Sequence, residues 1–179
     1  ISYLKGYNTN LNSEFLIMGS INFHQTNVEI DNVDFENIFS EDALNIVKSN
    51  FKINNSNYKD IFSDAIDMDF ASGKIEFVSF KNIGNDAMDF SGSNVEIYDS
   101  NFENVKDKLI SGGEESNIKI SKVYAVNSKS GIISKDGSKV YAKDIFFNNV
   151  QIPFAAYQKK TQYDYGLLAV KDFKIDNFF

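Results

Sequence analysis

Four aspartate-rich phrases recur at a nearly even interval: Asp42-Ala43-Leu44-Asn45, Asp64-Ala65-Ile66-Asp67-Met68-Asp69, Asp86-Ala87-Met88-Asp89-Phe90 and Asp107-Lys108-Leu109-Ile110. The chemistry they offer is that of carboxylates with a lysine beside them. Two-residue alternation along a strand turns Leu44, Ile66, Met88 and Leu109 inward, so Asn45, Asp67, Asp89 and Lys108 are expected outside, with the small Ala43, Ala65 and Ala87. On stacked strands about 4.8 Å apart, Asp67 and Asp89 become neighbours and Asp69 adds a third charge on the same side. Carboxylates that close raise one another's pKa or recruit a cation, and calcium takes several oxygen ligands at once. Asp67, Asp69 and Asp89 are therefore the expected metal ligands, with a solvated acidic face as the alternative. Asp42, Asp64, Asp86 and Asp107 stand where the chain enters each strand, a place where aspartates bond turn amides.

Two further segments carry polar chemistry. Ser111-Gly112-Gly113-Glu114-Glu115-Ser116 places acids and a glycine pair beside Lys108, where backbone can approach a ligand closely. Ala155 to Tyr165 combines Tyr157, Lys159 and Lys160 with further aromatic rings. Rings stack on sugars and lysines attract acidic groups, so Glu114, Tyr157, Lys159 and Lys160 are the expected substrate-binding residues. An ordinary surface turn and loop are the alternatives. His24 has no repeated partner and is read as a turn or edge residue. No Gly-x-Ser-x-Gly elbow and no phosphate-binding glycine loop is present.

The elements that would position these groups follow from an internal repeat. Val28-x-Ile30 recurs as Phe51-x-Ile53, Gly73-x-Ile75, Val95-x-Ile97, Ile118-x-Ile120 and Val140-x-Ala142, every 22 or 23 residues. Phe35, Tyr58, Phe80, Phe102, Ala125 and Phe147 follow at a fixed offset, and Leu168, Val170 and Ile175 resume the pattern after an insertion around 159–166. The apolar alternation within each unit is that of strands, without sustained helical spacing. A period of about 22 residues with three short strands describes one coil of a solenoid, and about seven coils account for the chain as a single domain over 1–179. Asn37, Asp60, Asn82, Asn104, Asn127, Asn149 and Asn177 recur once per coil; asparagine tolerates left-handed backbone, so these form an expected turn ladder.

Composition removes several function classes. The chain has 179 residues, 18 lysines without one arginine, 25 acids and a net charge of -7, which disfavours nucleic acid as a partner. It lacks cysteine, excluding disulfides and thiolate metal sites, and its single histidine cannot build a multi-histidine zinc centre. No apolar run approaches the length of a membrane-spanning helix. The chain starts at Ile1 and shows no amphipathic helical cap over Ile1 to Phe15 or at Phe178 and Phe179, so a longer solenoid, or end-to-end self-association, is expected.

The 22-residue coil, the apolar columns, the asparagine ladder and phrases such as Asp86-Ala87-Met88-Asp89-Phe90-Ser91-Gly92-Ser93 resemble the right-handed parallel β-helix of the pectate-lyase-like superfamily. That resemblance, over about Gly19 to Phe179, implies an all-β fold and an extracellular or cell-surface location. It also implies polysaccharide lyase or mannuronan epimerase chemistry with calcium held by Asp67 and Asp89. Val105-Lys106-Asp107-Lys108-Leu109-Ile110 looks like the family's lysine-bearing strand, which makes Lys108, with Lys135 from the next coil, the expected catalytic bases. The family's arginine has no counterpart here. Two functions remain open on these residues: a calcium-assisted lyase or epimerase, or a noncatalytic scaffold whose face binds glycan or protein.

Overall fold

A computed structural model describes residues 17–176, and every regular element among them is a strand. Fifteen strands wind as a parallel β-solenoid of about six turns with three lateral faces. Each face carries seven rungs among the described residues, matching the expected seven coils. The first face takes Gly19–His24, Asp42–Val47, Asp64–Asp69, Met88–Ser91 and Lys108–Gly113, then the closing parts of Asn117–Lys135 and Lys139–Tyr157. The second runs from Val28–Asp31 through Asn50–Asn54 and Ser72–Glu76 to the openings of Asn94–Val105, the two long strands and Leu167–Asp176. The third starts with Asp34–Ile38, Asn57–Ile61 and Ser79–Ile83. Partners such as Val28 and Phe51, Ile97 and Ile120, or Ala142 and Val170 lie directly over one another. No helix among the described residues is long and apolar enough to cross a membrane.

The corners between faces are made by single left-handed residues. Asn37, Asp60, Asn82, Asn104, Asn127 and Asn149 have φ between 52° and 58°. Their side chains form the expected ladder: Asn82 Nδ2 donates to Asp60 Oδ1 at 2.7 Å, Asn104 Nδ2 to Asn82 Oδ1 at 2.7 Å and Asn149 Nδ2 to Asn127 Oδ1 at 2.9 Å. Asn177 lies outside the described residues, as do Phe178, Phe179 and the stretch from Ile1 to Phe15. At one corner glycine takes the place that Lys48 and Phe70 hold in the coils before. Gly92 has φ 61°, and a Cβ there would lie 2.5 Å from the ring of Phe70 in the coil before it.

Repeat-equivalent aromatic side chains stack in the core, since parallel coils place like over like. Phe35, Tyr58, Phe80 and Phe102 form a near-parallel column with centroids 4.4, 5.0 and 4.9 Å apart. Ala125 interrupts it. Phe147 resumes the column as the buried register partner of Ala125, and its ring meets Phe154 at 5.4 Å. The Tyr58 hydroxyl is buried without a hydrogen-bond partner. Phe102→Ala is expected to destabilise by about 3–5 kcal/mol, seen as a lower urea midpoint. Tyr58→Phe should leave the midpoint unchanged or raise it, because an unpaired buried hydroxyl is removed.

Candidate functional site

Register decides which outer side chains of the first face meet. Asn45, Asp67, Asp89 and Ser111 are successive partners, over an inner column of Leu44, Ile66, Met88 and Ile110. This corrects the placement of Lys108. Its partner is Ser130, while Ile110 rather than Leu109 continues the Met88 column. Lys108 therefore shares a column with Asp64 and Asp86, one period of 22 residues from each to the next. Ala43, Ala65 and Ala87, expected outside, lie fully buried in the core together with Leu109. The cause is the bend at the head of each strand, where aspartates bond backbone as expected. The Asp86 N–H donates to Asp64 Oδ1 at 2.9 Å and the Lys108 N–H to Asp86 Oδ1 at 2.9 Å.

The same bend fixes the state of Lys108. Its Nζ donates to both Asp86 oxygens at 3.1 Å and to Asp107 Oδ2 at 2.5 Å, and Lys129 shares Asp107 at 2.9 Å. Burial opposes the charge, but the two carboxylates win and push the ammonium above the ordinary lysine range. A base must be deprotonated, so this environment works against that role for Lys108.

Carboxyls in the column of Lys108 and beside it are instead driven toward the neutral form, Asp86 itself to about 7 by burial and by Asp89 against the pull of Lys108. Burial, reinforced by Asp64, raises Asp42 to about 7. Burial, with Asp42, Asp69 and Asp89 around it, raises Asp67 to about 8. Burial also lifts Asp64 and Asp69. Asn45 bridges Asp42 and Asp67, its Nδ2 lying 3.0 Å from Asp67 Oδ2 and 3.4 Å from Asp42 Oδ2. Burial, reinforced by the neighbouring acids, thus holds the Asp42 and Asp67 carboxyls protonated above the usual aspartate range, able to donate as well as accept hydrogen bonds.

Lys135 reaches this group from two coils away. Its side chain, 9% exposed, passes over Gly113, where a Cβ would lie 2.8 Å from Lys135 Cε, and its Nζ stops 3.7 Å from Asp89 Oδ1. Glu114 joins from the corner, accepting from Ser91 Oγ and pairing with Lys160. Burial opposes ionisation of Glu114, yet Lys160 and Ser91 hold it below the ordinary glutamate range. The inserted loop that brings Lys160 is anchored by buried Asp136, whose Oδ1 accepts from the N–H groups of Lys159 and Lys160 at 2.6 Å each. Tyr157 and Tyr165 stand exposed at the ends of that loop. Lys159 therefore contributes its backbone to the anchor.

Asp67, Asp69, Asp89, Glu114, Lys135 and Lys160 thus form one group on the first face, Lys160 being supplied by the loop, and Lys108 stands apart. The anchor Asp136 and the two serines Ser91 and Ser111 were not singled out from sequence, and Asn45 was placed outside without its bridging role. Counting 22 residues on from Asp89 to Ser111 would have found one of them. Ser111 Oγ is buried without a partner on the outer side of its strand, one rung from Asp89. Among the described residues no three His, Asp or Glu side chains converge as a metal-holding group. The Asn45 amide engages one oxygen of Asp67 and the Lys135 ammonium lies 3.7 Å from one oxygen of Asp89.

No family model matches the chain, and no curated protein matches it. What the structure shows is a parallel β-solenoid.

Raised carboxyl pKa values have a definite sign. Protonated Asp42 and Asp67 favour the folded state fully below their unfolded pKa of about 4, and that contribution is lost as pH rises through about 7 and about 8. Urea midpoints should therefore fall more between about pH 5 and about pH 9 in the parent chain than in Asp67→Asn, which cannot ionise. Parallel pH profiles would contradict the neutral state of Asp67.

Proposed function

We propose that this chain is a noncatalytic scaffold of the cell exterior that engages polysaccharide on its first face, beside the inserted loop. One observation carries this: six acidic and basic side chains from four separate coils and one insertion, Asp67 among them in its neutral form, come together on a face where exposed Tyr157 is the register partner of Lys135. Sugars are bound by such mixtures, with carboxyls and ammonium groups taking hydroxyls and a ring taking the apolar face. Solenoid rungs hold these groups on fixed backbone, so little ordering is needed on binding.

The noncatalytic form is favoured over a calcium-assisted lyase or epimerase by the lysines. Proton abstraction needs a neutral amine, whereas Lys108 is clamped by two carboxylates and Lys135 faces Asp89.

Titration calorimetry against a panel of neutral and acidic glycans is expected to show saturable binding to at least one. Tyr157→Ala with Lys160→Ala should weaken it about tenfold, roughly 1.4 kcal/mol. Absence of binding across the panel would refute glycan engagement. Unsaturated or epimerised uronate products, with or without added calcium, would refute the noncatalytic form.

A further inference from the structure

The second face carries a groove of about 570 Å³ that runs along the solenoid axis and takes no part in the site just described. Two outward rows wall it. One contains Lys74, Glu96, Lys119 and Tyr141 as successive partners, and the other Glu76, Tyr98, Ser121, Lys143 and Lys171. Small Ala169 follows Tyr141 in the first row, and buried Ala142 lies at the floor between the rows. In a chain of net charge -7, this groove holds four lysines against two glutamates.

Its charges break a rule kept elsewhere on the solenoid. Where two lysines are register partners, each otherwise reaches a glutamate on its far side. Lys52 and Lys74 have Glu29 at 3.7 Å and Glu96 at 3.0 Å. Lys59 and Lys81 have Glu36 at 3.8 Å and Glu103 at 2.9 Å. Lys143 and Lys171 are also partners, but the far-side partner of Lys143 is Ser121 and Lys143 has no ion pair among the described residues, while Lys171 reaches exposed Asp172 beside it at 3.9 Å. Like charges directly opposite are destabilising, and an anion between them would relieve the repulsion. Tyr141, 46% exposed on the adjoining row, offers ring surface beside that point.

We propose that this groove binds a linear anionic polysaccharide lying along the axis, one acidic group seated between Lys143 and Lys171 and a sugar ring against Tyr141. An extended polymer suits a wall that repeats every rung, about 4.8 Å, a step close to the advance of one sugar. Nucleic acid suits it less, since the remaining surface is acidic and arginine is absent. The inference stands on residues separate from those of the first-face site.

Calorimetry of the intact chain with a polyuronate, a sulfated glycan and a neutral β-glucan of matched length tests it. Saturable binding of an acidic polymer, weakened by salt, is expected to fall at least about tenfold in Lys143→Glu/Lys171→Glu, with the double alanine variant between. All four substitutions are at exposed positions, so thermal melting should confirm an intact fold. Which acidic polymer binds separates carboxylate from sulfate recognition. Unchanged affinity in both variants, no saturable binding of either acidic polymer, or equal binding of the neutral glucan would overturn the proposal, as would equal binding of single-stranded DNA. Tyr157→Ala/Lys160→Ala should leave groove binding intact; if it alone removes all glycan binding, the groove assignment fails while the first-face site stands.

Discussion

Each coil of this protein gives its backbone N–H and C=O groups to the coils before and after it, and parallel pairing in register then forces equivalent side chains to sit about 4.8 Å apart. Every other feature is a consequence of tolerating or exploiting that closeness. Apolar columns gain from it: Phe35, Tyr58, Phe80 and Phe102 stack with nearly parallel rings. Amides gain as well, because an asparagine can donate to the one below while accepting from the one above. Charges do not, and the outer rows of the second and third faces answer by setting glutamates against lysines.

Two places depart from that alternation, and they are the places where function is proposed. On the first face Asp67 lies directly beside Asp89, and Asp69 beside Ser91. Burial and mutual repulsion hold Asp67 neutral, while Lys135 and Lys160 come in from other coils to balance Asp89 and Glu114. On the second face Lys143 and Lys171 are left as a like pair without a carboxylate between them. The first departure is compensated internally. The second is open to an external anion.

Much of the fold was legible because register repeats in the sequence itself. A 22-residue period, an aromatic at a fixed offset and an asparagine one step before an apolar residue are sequence statements of columns that the structure shows as stacks and ladders. The site was legible only in part. Regular two-residue alternation was extended through the heads of the first-face strands, where buried Asp42 and Asp86 bend the chain, and this put Lys108 beside Asp89 when the repeat length alone carries Asp86 to Lys108 and Asp89 to Ser111. The approach of Lys135 over Gly113 and the anchoring of the loop by Asp136 depend on side-chain reach between coils, which spacing does not encode. The groove on the second face was invisible for a similar reason: each of its strands reads as an ordinary exposed edge of mixed charge.

The stacking register is tested most directly by disulfide trapping in this chain, which has no cysteine of its own. Asp89→Cys with Ser111→Cys places two thiols on the outer side of paired rungs, within the span of about 4.4–6.8 Å between Cα atoms that a disulfide needs. Under mild oxidation that pair should close nearly completely, read as loss of free thiol and of two hydrogens by intact mass. Asp89→Cys with Lys108→Cys should stay reduced. Closure of the Asp89–Lys108 pair in preference to Asp89–Ser111 would contradict the register, and with it the separation of Lys108 from the carboxyl column.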